Sequence, residues 1–140
     1  MEQRLTIITL GVSDLKLSNE FYQDVFGWKK TKDSNEHISF FSLNGILLAL
    51  YPSDSLAEDA TVRPEGSGFN RFTLAHNLRS EKEVDELFTY LKGKSVKVTK
   101  EPQKVAWGGY SGYISDPDGH LWEIAFNPFL SMDNLGNVSN

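Results

Sequence analysis

Residues 113–128 read YISDPDGHLWEIAFNP, and their reading decides the fold. Pro117 presets φ at the first corner of a turn, Asp118 suits the second, and Gly119 can take the left-handed conformation that returns the chain, so SDPDG predicts a hairpin between two strands. In the second strand, alternation puts Trp122, Ile124 and Phe126 on one face and Leu121, Glu123 and Ala125 on the other. The aromatic face is the one to pack under helices. Glu123 then interrupts an otherwise apolar strand, and a carboxylate in a partly apolar hollow needs a partner or takes up a proton.

Working outward, the same organisation occurs twice. Residues 5–12 (LTIITLGV) are β-rich. Ser13 or Asp14 caps a helix whose stripe is Leu17, Phe21, Tyr22, Val25 and Phe26, and Gly27 stops it. Two strands, HISFFSL and ILLALY, flank the hairpin signal Asn44-Gly45. After a polar stretch, NRFTLAHN predicts a strand, Ser80 and Glu83 a capping box, and Val84, Leu87, Phe88 and Leu91 a helical stripe. VKVTK, YSGYIS and HLWEIAF follow as strands. The expectation is an α+β chain, residues 1–140 as one domain, with βαβββ repeats at 5–51 and 69–128, a linker at 52–68 with one short helical turn, and a flexible tail at 129–140. One such unit alone leaves a sheet face uncovered, so the two are expected to pair, within a chain or between chains.

The chain has 140 residues, a formal charge of −5 and no cysteine. Disulfides, thiolate metal sites and a cysteine nucleophile are excluded. Scattered lysines in an acidic chain argue against a nucleic-acid partner. No apolar run approaches the ~20 residues that span a bilayer, and residues 1–10 lack the layout of a secretory signal, so no membrane association and a cytoplasmic location are expected.

GVSDLKLSNEFYQDVFGW and GYISDPDGHLWEIAFNP together resemble the vicinal oxygen chelate superfamily, the glyoxalase, bleomycin-resistance and extradiol-dioxygenase fold. The resemblance implies two paired βαβββ units forming a cup-shaped mixed sheet with helices outside. It also implies, in the enzymes, a divalent metal held by His, Gln or Glu on the first and last strands of each unit. Carried over position by position, those ligands fall on Ile7, Leu48, Arg71 and Glu123, with Leu47 as the alternative to Leu48 if the register slips by one. One carboxylate and three non-donors do not make a dication site, so no metal and no cofactor are expected.

Strand parity places Arg71 and Thr73 beside Glu123, with Ile7 and Thr9 contributed by the first unit. An Arg71–Glu123 pair in the place of the metal is the resulting expectation, weighed against a pair that merely closes a polar gap and binds nothing. In WGGYSGY, Trp107 is the candidate for ligand contact, and Tyr110 and Tyr113 divide between cavity wall and core. His37 is a candidate to reach the cavity, His76 faces away from it, and His120 belongs to the hairpin. The functional expectation is a small-molecule binding protein of this family, a homodimer whose ligand is aromatic or cationic. The alternative is a glyoxalase-like lyase or dioxygenase-like enzyme with a non-standard metal site or with Glu123 as catalytic general base.

Overall fold

The structure is a computed structural model describing residues 1–139. The chain divides into two compact units, residues 1–68 and 69–140, each with its own mixed sheet. The architecture is α+β, and each unit is βαβββ-like.

In the first unit β1 (Ile7–Val12) runs parallel to β3 (Leu47–Pro52), and β2 (Ser39–Ser42) pairs antiparallel with β3 on its other side. The remaining strand of the βαβββ pattern is reduced to an isolated bridge between Lys30 and Phe41. Asp14 caps α1 (Leu15–Glu20) by accepting from the backbone of Lys16 and Leu17. The helix then loosens into a π-helical turn over Phe21–Val25. That turn carries Tyr22 into an aromatic cluster with Phe26, Trp28 and Phe41, which with Leu10, Val12, Leu48 and Leu50 forms the core. Within the expected linker, α2 (Ser53–Asp59) is a full short helix that folds back on β1. A Cβ at Gly11 would lie 3.0 Å from Ser53 Oγ, so the small residue admits this contact.

In the second unit the strand order is β4-β7-β6-β5, with β4 (Leu74–Leu78) parallel to β7 (Leu121–Phe126). Between β4 and β5 (Lys97–Lys104) runs α3 (Glu81–Gly93), capped by the Ser80 hydroxyl accepting from Glu83 N–H at 3.2 Å. The Glu83 carboxylate reaches back to Arg79 N–H at 2.7 Å, one residue beyond the standard box. Val84, Phe88 and Leu91 pack on Trp122, Ile124 and Ile114, all buried, and this is the unit's core. β5 is an edge strand, and its lysines and Pro102 are the residues that discourage pairing with a further strand.

One expectation is corrected here. The strand expected at residues 70–77 begins only at Leu74, because Arg71 takes φ +62° and breaks the extended run. The tail carries hydrogen bonds of its own. Asp133 accepts from the backbone of Leu135 and Asn137, Ser139 N–H bonds to Ser131 O at 2.9 Å, and Arg79 Nη2 donates to Asp133 O at 2.6 Å. Asn140 lies outside the described residues.

Candidate functional site

The residues that bear chemistry gather on the face of the second sheet turned away from α3. β6 (Tyr110–Ser115) and β7 pair so that Tyr113 stands directly opposite Glu123, Ser111 opposite Ala125 and Ser115 opposite Leu121. β4 places Ala75 beside Glu123. Tyr113 and Glu123 are hydrogen-bonded. Burial first, then the Glu123 charge and this bond, hold the Tyr113 hydroxyl above its ordinary value near 10. At neutral pH it is therefore a phenol, donating to the carboxylate.

Lys100 joins them through an irregularity. Lys97 pairs with Ser115 and Val98 with Ile114, but Lys100 pairs with Tyr113, so the register shifts between Val98 and Lys100 and again before Gln103. Simple alternation would put Lys100 on the face of Val98, toward α3. The bulge turns it over. Its ammonium lies 5.7 Å from the Tyr113 ring centroid, within cation–π range. Among the described residues it makes no ion pair. The result is Lys100, Tyr113 and Glu123 side by side on three adjacent strands.

A titration tests this arrangement. With tyrosine ring carbons followed by NMR, Tyr113 is expected to ionise above the ordinary phenol range, and Glu123→Gln to bring its midpoint down. A midpoint indifferent to that substitution would remove the Tyr113–Glu123 bond.

Other candidates are placed differently. Arg71 is exposed, lies ahead of β4 in a left-handed bend, and makes no ion pair with Glu123 among the described residues. The alternation that put it beside the carboxylate stops at Leu74. Thr73, also exposed, precedes the strand. Tyr110 is turned toward α3, its hydroxyl donating to Asp85 at 2.8 Å, and this bond leads the causes that raise its pKa. It is thus a structural tie and not part of the face that carries Tyr113 and Glu123.

In the first unit, Ile7 and Thr9 are exposed on one face of β1, but Leu48 pairs with Ile8 and is only 1% exposed, in the core. Leu47 is the residue opposite Ile7. The register is set by the parallel β1–β3 ladder, and the slip of one exchanges the faces.

Trp107 is half-exposed at the tip of the β5–β6 turn. His37 pairs with its neighbour Glu36 at 3.3 Å, in solvent. His76 shares its parity with Leu74 and Leu78, and enough chain surrounds its ring to lower its pKa below 6.5. His120 is buried against Asp116 in the hairpin.

Metal ligation is not supported by this donor set. Among the described residues no three His, Cys, Asp or Glu side chains cluster. The family's ligand positions other than Glu123 hold hydrocarbon or guanidinium, which donate no electron pair to a cation.

The comparisons agree with the fold. The model of the Glyoxalase/Bleomycin resistance protein/Dioxygenase superfamily matches residues 4–124, and the chain belongs to that family. It is similar to the crystal structure of a glyoxalase-related enzyme from Fulvimarina pelagi, with 38% identity, a TM-score of 0.88 and 99% of each chain covered. The metallothiol transferase FosB of Lysinibacillus sphaericus (strain C3-41) is 30% identical over 122 residues, 87% of this chain and 81% of that protein. The lactoylglutathione lyase GLX1 of Arabidopsis thaliana is 29% identical over 133 residues, covering 87% of this chain and 44% of that longer protein. Among the described residues no helix is long and apolar enough to cross a membrane.

Proposed function

We propose that the protein binds a small organic acid beside Lys100, Tyr113 and Glu123 on its second sheet, without a divalent metal. The observation that carries this is Lys100. A bulge turns an ammonium with no carboxylate partner among the described residues over Tyr113, beside a phenol already fixed by Glu123. The Lys100 ammonium suits a carboxylate or another oxyanion, while the Tyr113 proton stays with Glu123, so the ligand expected to be aromatic or cationic is here read as acidic. Glu123 then orients Tyr113 and rejects acids that approach from the β7 side. The same reading keeps the protein a cytoplasmic homodimer. Exposed Leu5, Ile7, Phe69 and Phe72 support a second copy.

The test is a titration with hexanoate, followed by amide shifts. Perturbations are expected on β5, β6 and β7, with affinity falling about tenfold in Lys100→Gln, as for loss of a charged hydrogen bond. Unchanged affinity in both Lys100→Gln and Tyr113→Phe would overturn the reading.

The hydrogen bond from Tyr113 to Glu123 favours a second, catalytic reading, in which Glu123 is a general base that Tyr113 orients. The names of the similar proteins, a metallothiol transferase and a lactoylglutathione lyase, lean the same way. Metal analysis separates the two. A stoichiometric divalent ion in the purified protein, lost in Glu123→Gln, would replace the metal-free reading by the enzymatic one.

A further inference from the structure

We propose that the groove between α1 and residues 30–36 is a second binding site, for a small zwitterion with an ammonium at one end and a carboxylate at the other. It lies wholly in the first unit and does not depend on the reading of Lys100.

The groove has a volume of about 420 Å³, within the range of small-molecule sites. One wall is α1 and the π-helical turn that continues it. Lys16, Asn19, Glu20, Gln23 and Asp24 line the groove at helical spacing and so share the outer face, while Phe21 and Tyr22 are buried on the other. Phe26 N–H reaches back to Phe21 O at 3.4 Å to make the wide turn, a form that recurs at functional sites. The other wall carries Lys30, Asn35 and Glu36. It is held in place by its neighbours. Lys30 bridges Phe41, Ser34 Oγ accepts from Phe40 N–H at 2.9 Å, and Asn35 N–H bonds to Ile38 O at 2.9 Å.

The ligand class follows from which groups are already used. Lys16 pairs with Glu20 at 3.9 Å, both on the helix wall, and Glu36 lies 3.3 Å from its neighbour His37. Asp24 on the helix wall and Lys30 on the loop wall make no ion pair among the described residues, with each other or with anything else. Unlike charges on opposite walls, not in contact, are bridged by a molecule of the reverse order. Its ammonium meets Asp24 and its carboxylate meets Lys30.

The amides extend the same polarity. Asn35 Oδ1 is taken by its own turn, accepting from His37 N–H at 2.8 Å and Ile38 N–H at 3.1 Å, so its NH₂ is the end left to donate to a carboxylate. On the helix wall Asn19 Oδ1 is buried and meets no donor among the described residues. That amide loses no bond at its oxygen by turning toward an ammonium. A simple anion would leave Asp24 unmatched, and a simple amine would leave Lys30 so.

The probes are the unbranched amino acids from glycine to 6-aminohexanoate, which differ only in charge spacing, with hexylamine and hexanoate as singly charged controls. They are titrated into the full chain and followed by amide shifts. One member of the series is expected to perturb residues 15–24 and 30–36 together and to bind there about fivefold more tightly than either control, as for one exposed ion pair. Its affinity is expected to fall about fivefold in Asp24→Asn and in Lys30→Gln, both surface changes, and to fall in high salt. Lys100→Gln is expected to leave these shifts as they are. If hexylamine or hexanoate bound the groove as tightly as every amino acid of the series, or if neither groove variant weakened binding, the proposal would be overturned. Shifts confined to β5, β6 and β7 would overturn it too, and would leave the Lys100 site standing.

Discussion

Replacing Asp116 by alanine is expected to destabilise the protein by about 3 kcal/mol, the upper end of the cost of leaving a buried hydrogen-bonding group unsatisfied. The carboxylate is fully buried and its partner His120 nearly so. Oδ1 accepts from the backbone N–H of His120 at 2.8 Å and of Asp118 at 3.0 Å, while Oδ2 lies 2.8 Å from His120 Nδ1. Alanine would strand two backbone donors and an imidazole nitrogen inside the hairpin that joins β6 to β7. A fall in melting temperature on the order of 10 °C is the corresponding readout for a chain of this size. Because the hairpin sets the register that brings Tyr113 opposite Glu123, ligand affinity is expected to fall with stability. His120→Ala leaves the carboxylate its backbone partners and is expected to be milder. If Asp116→Ala melted with the parent, the pair would be ornamental.

Gly112→Ala is the second large effect, and its cause is different. A Cβ there would lie 2.6 Å from Phe88 Cζ, 2.7 Å from Lys100 O and 2.8 Å from Pro102 N. Phe88 could swing aside, but the other two atoms are backbone of the bulged part of β5. Overpacking of this kind costs about 3 kcal/mol, at the upper end of its usual range. Pairing Gly112→Ala with Phe88→Leu is expected to restore little, since the backbone conflict persists. Full rescue by Phe88→Leu would show that the bulge tolerates a side chain at Gly112. The same crowding explains why β5 bulges there: its backbone crosses β6 where β6 has no side chain.

The architecture was legible because its signals are local. DPDG with Gly119 at φ +87° makes its turn, Asn44-Gly45 another, and the alternation around Trp122 sets the buried face. The facing of side chains was legible only where regular alternation continued. It reached Glu123 but failed at Arg71, three residues ahead of β4, where a positive φ that the sequence does not announce interrupts the strand. It failed at Leu48, where a choice between two adjacent leucines depended on pairing with β1. Lys100 was invisible for the opposite reason: counting from Val98 buries it, and only the bulge exposes it. Tyr110 and Tyr113, three apart in one strand, looked interchangeable until Asp85 on α3 claimed the first.

On the proposed reading of Lys100, the lysines of β5 have two duties, and chemical acylation would reveal both at once. Stripped of positive charge at Lys97, Lys100 and Lys104, the outer strand would keep only Pro102 to interrupt the row of backbone groups along that margin. The modified protein would lose its grip on oxyanions and begin to polymerise through that margin, so that solubility and recognition would fail together.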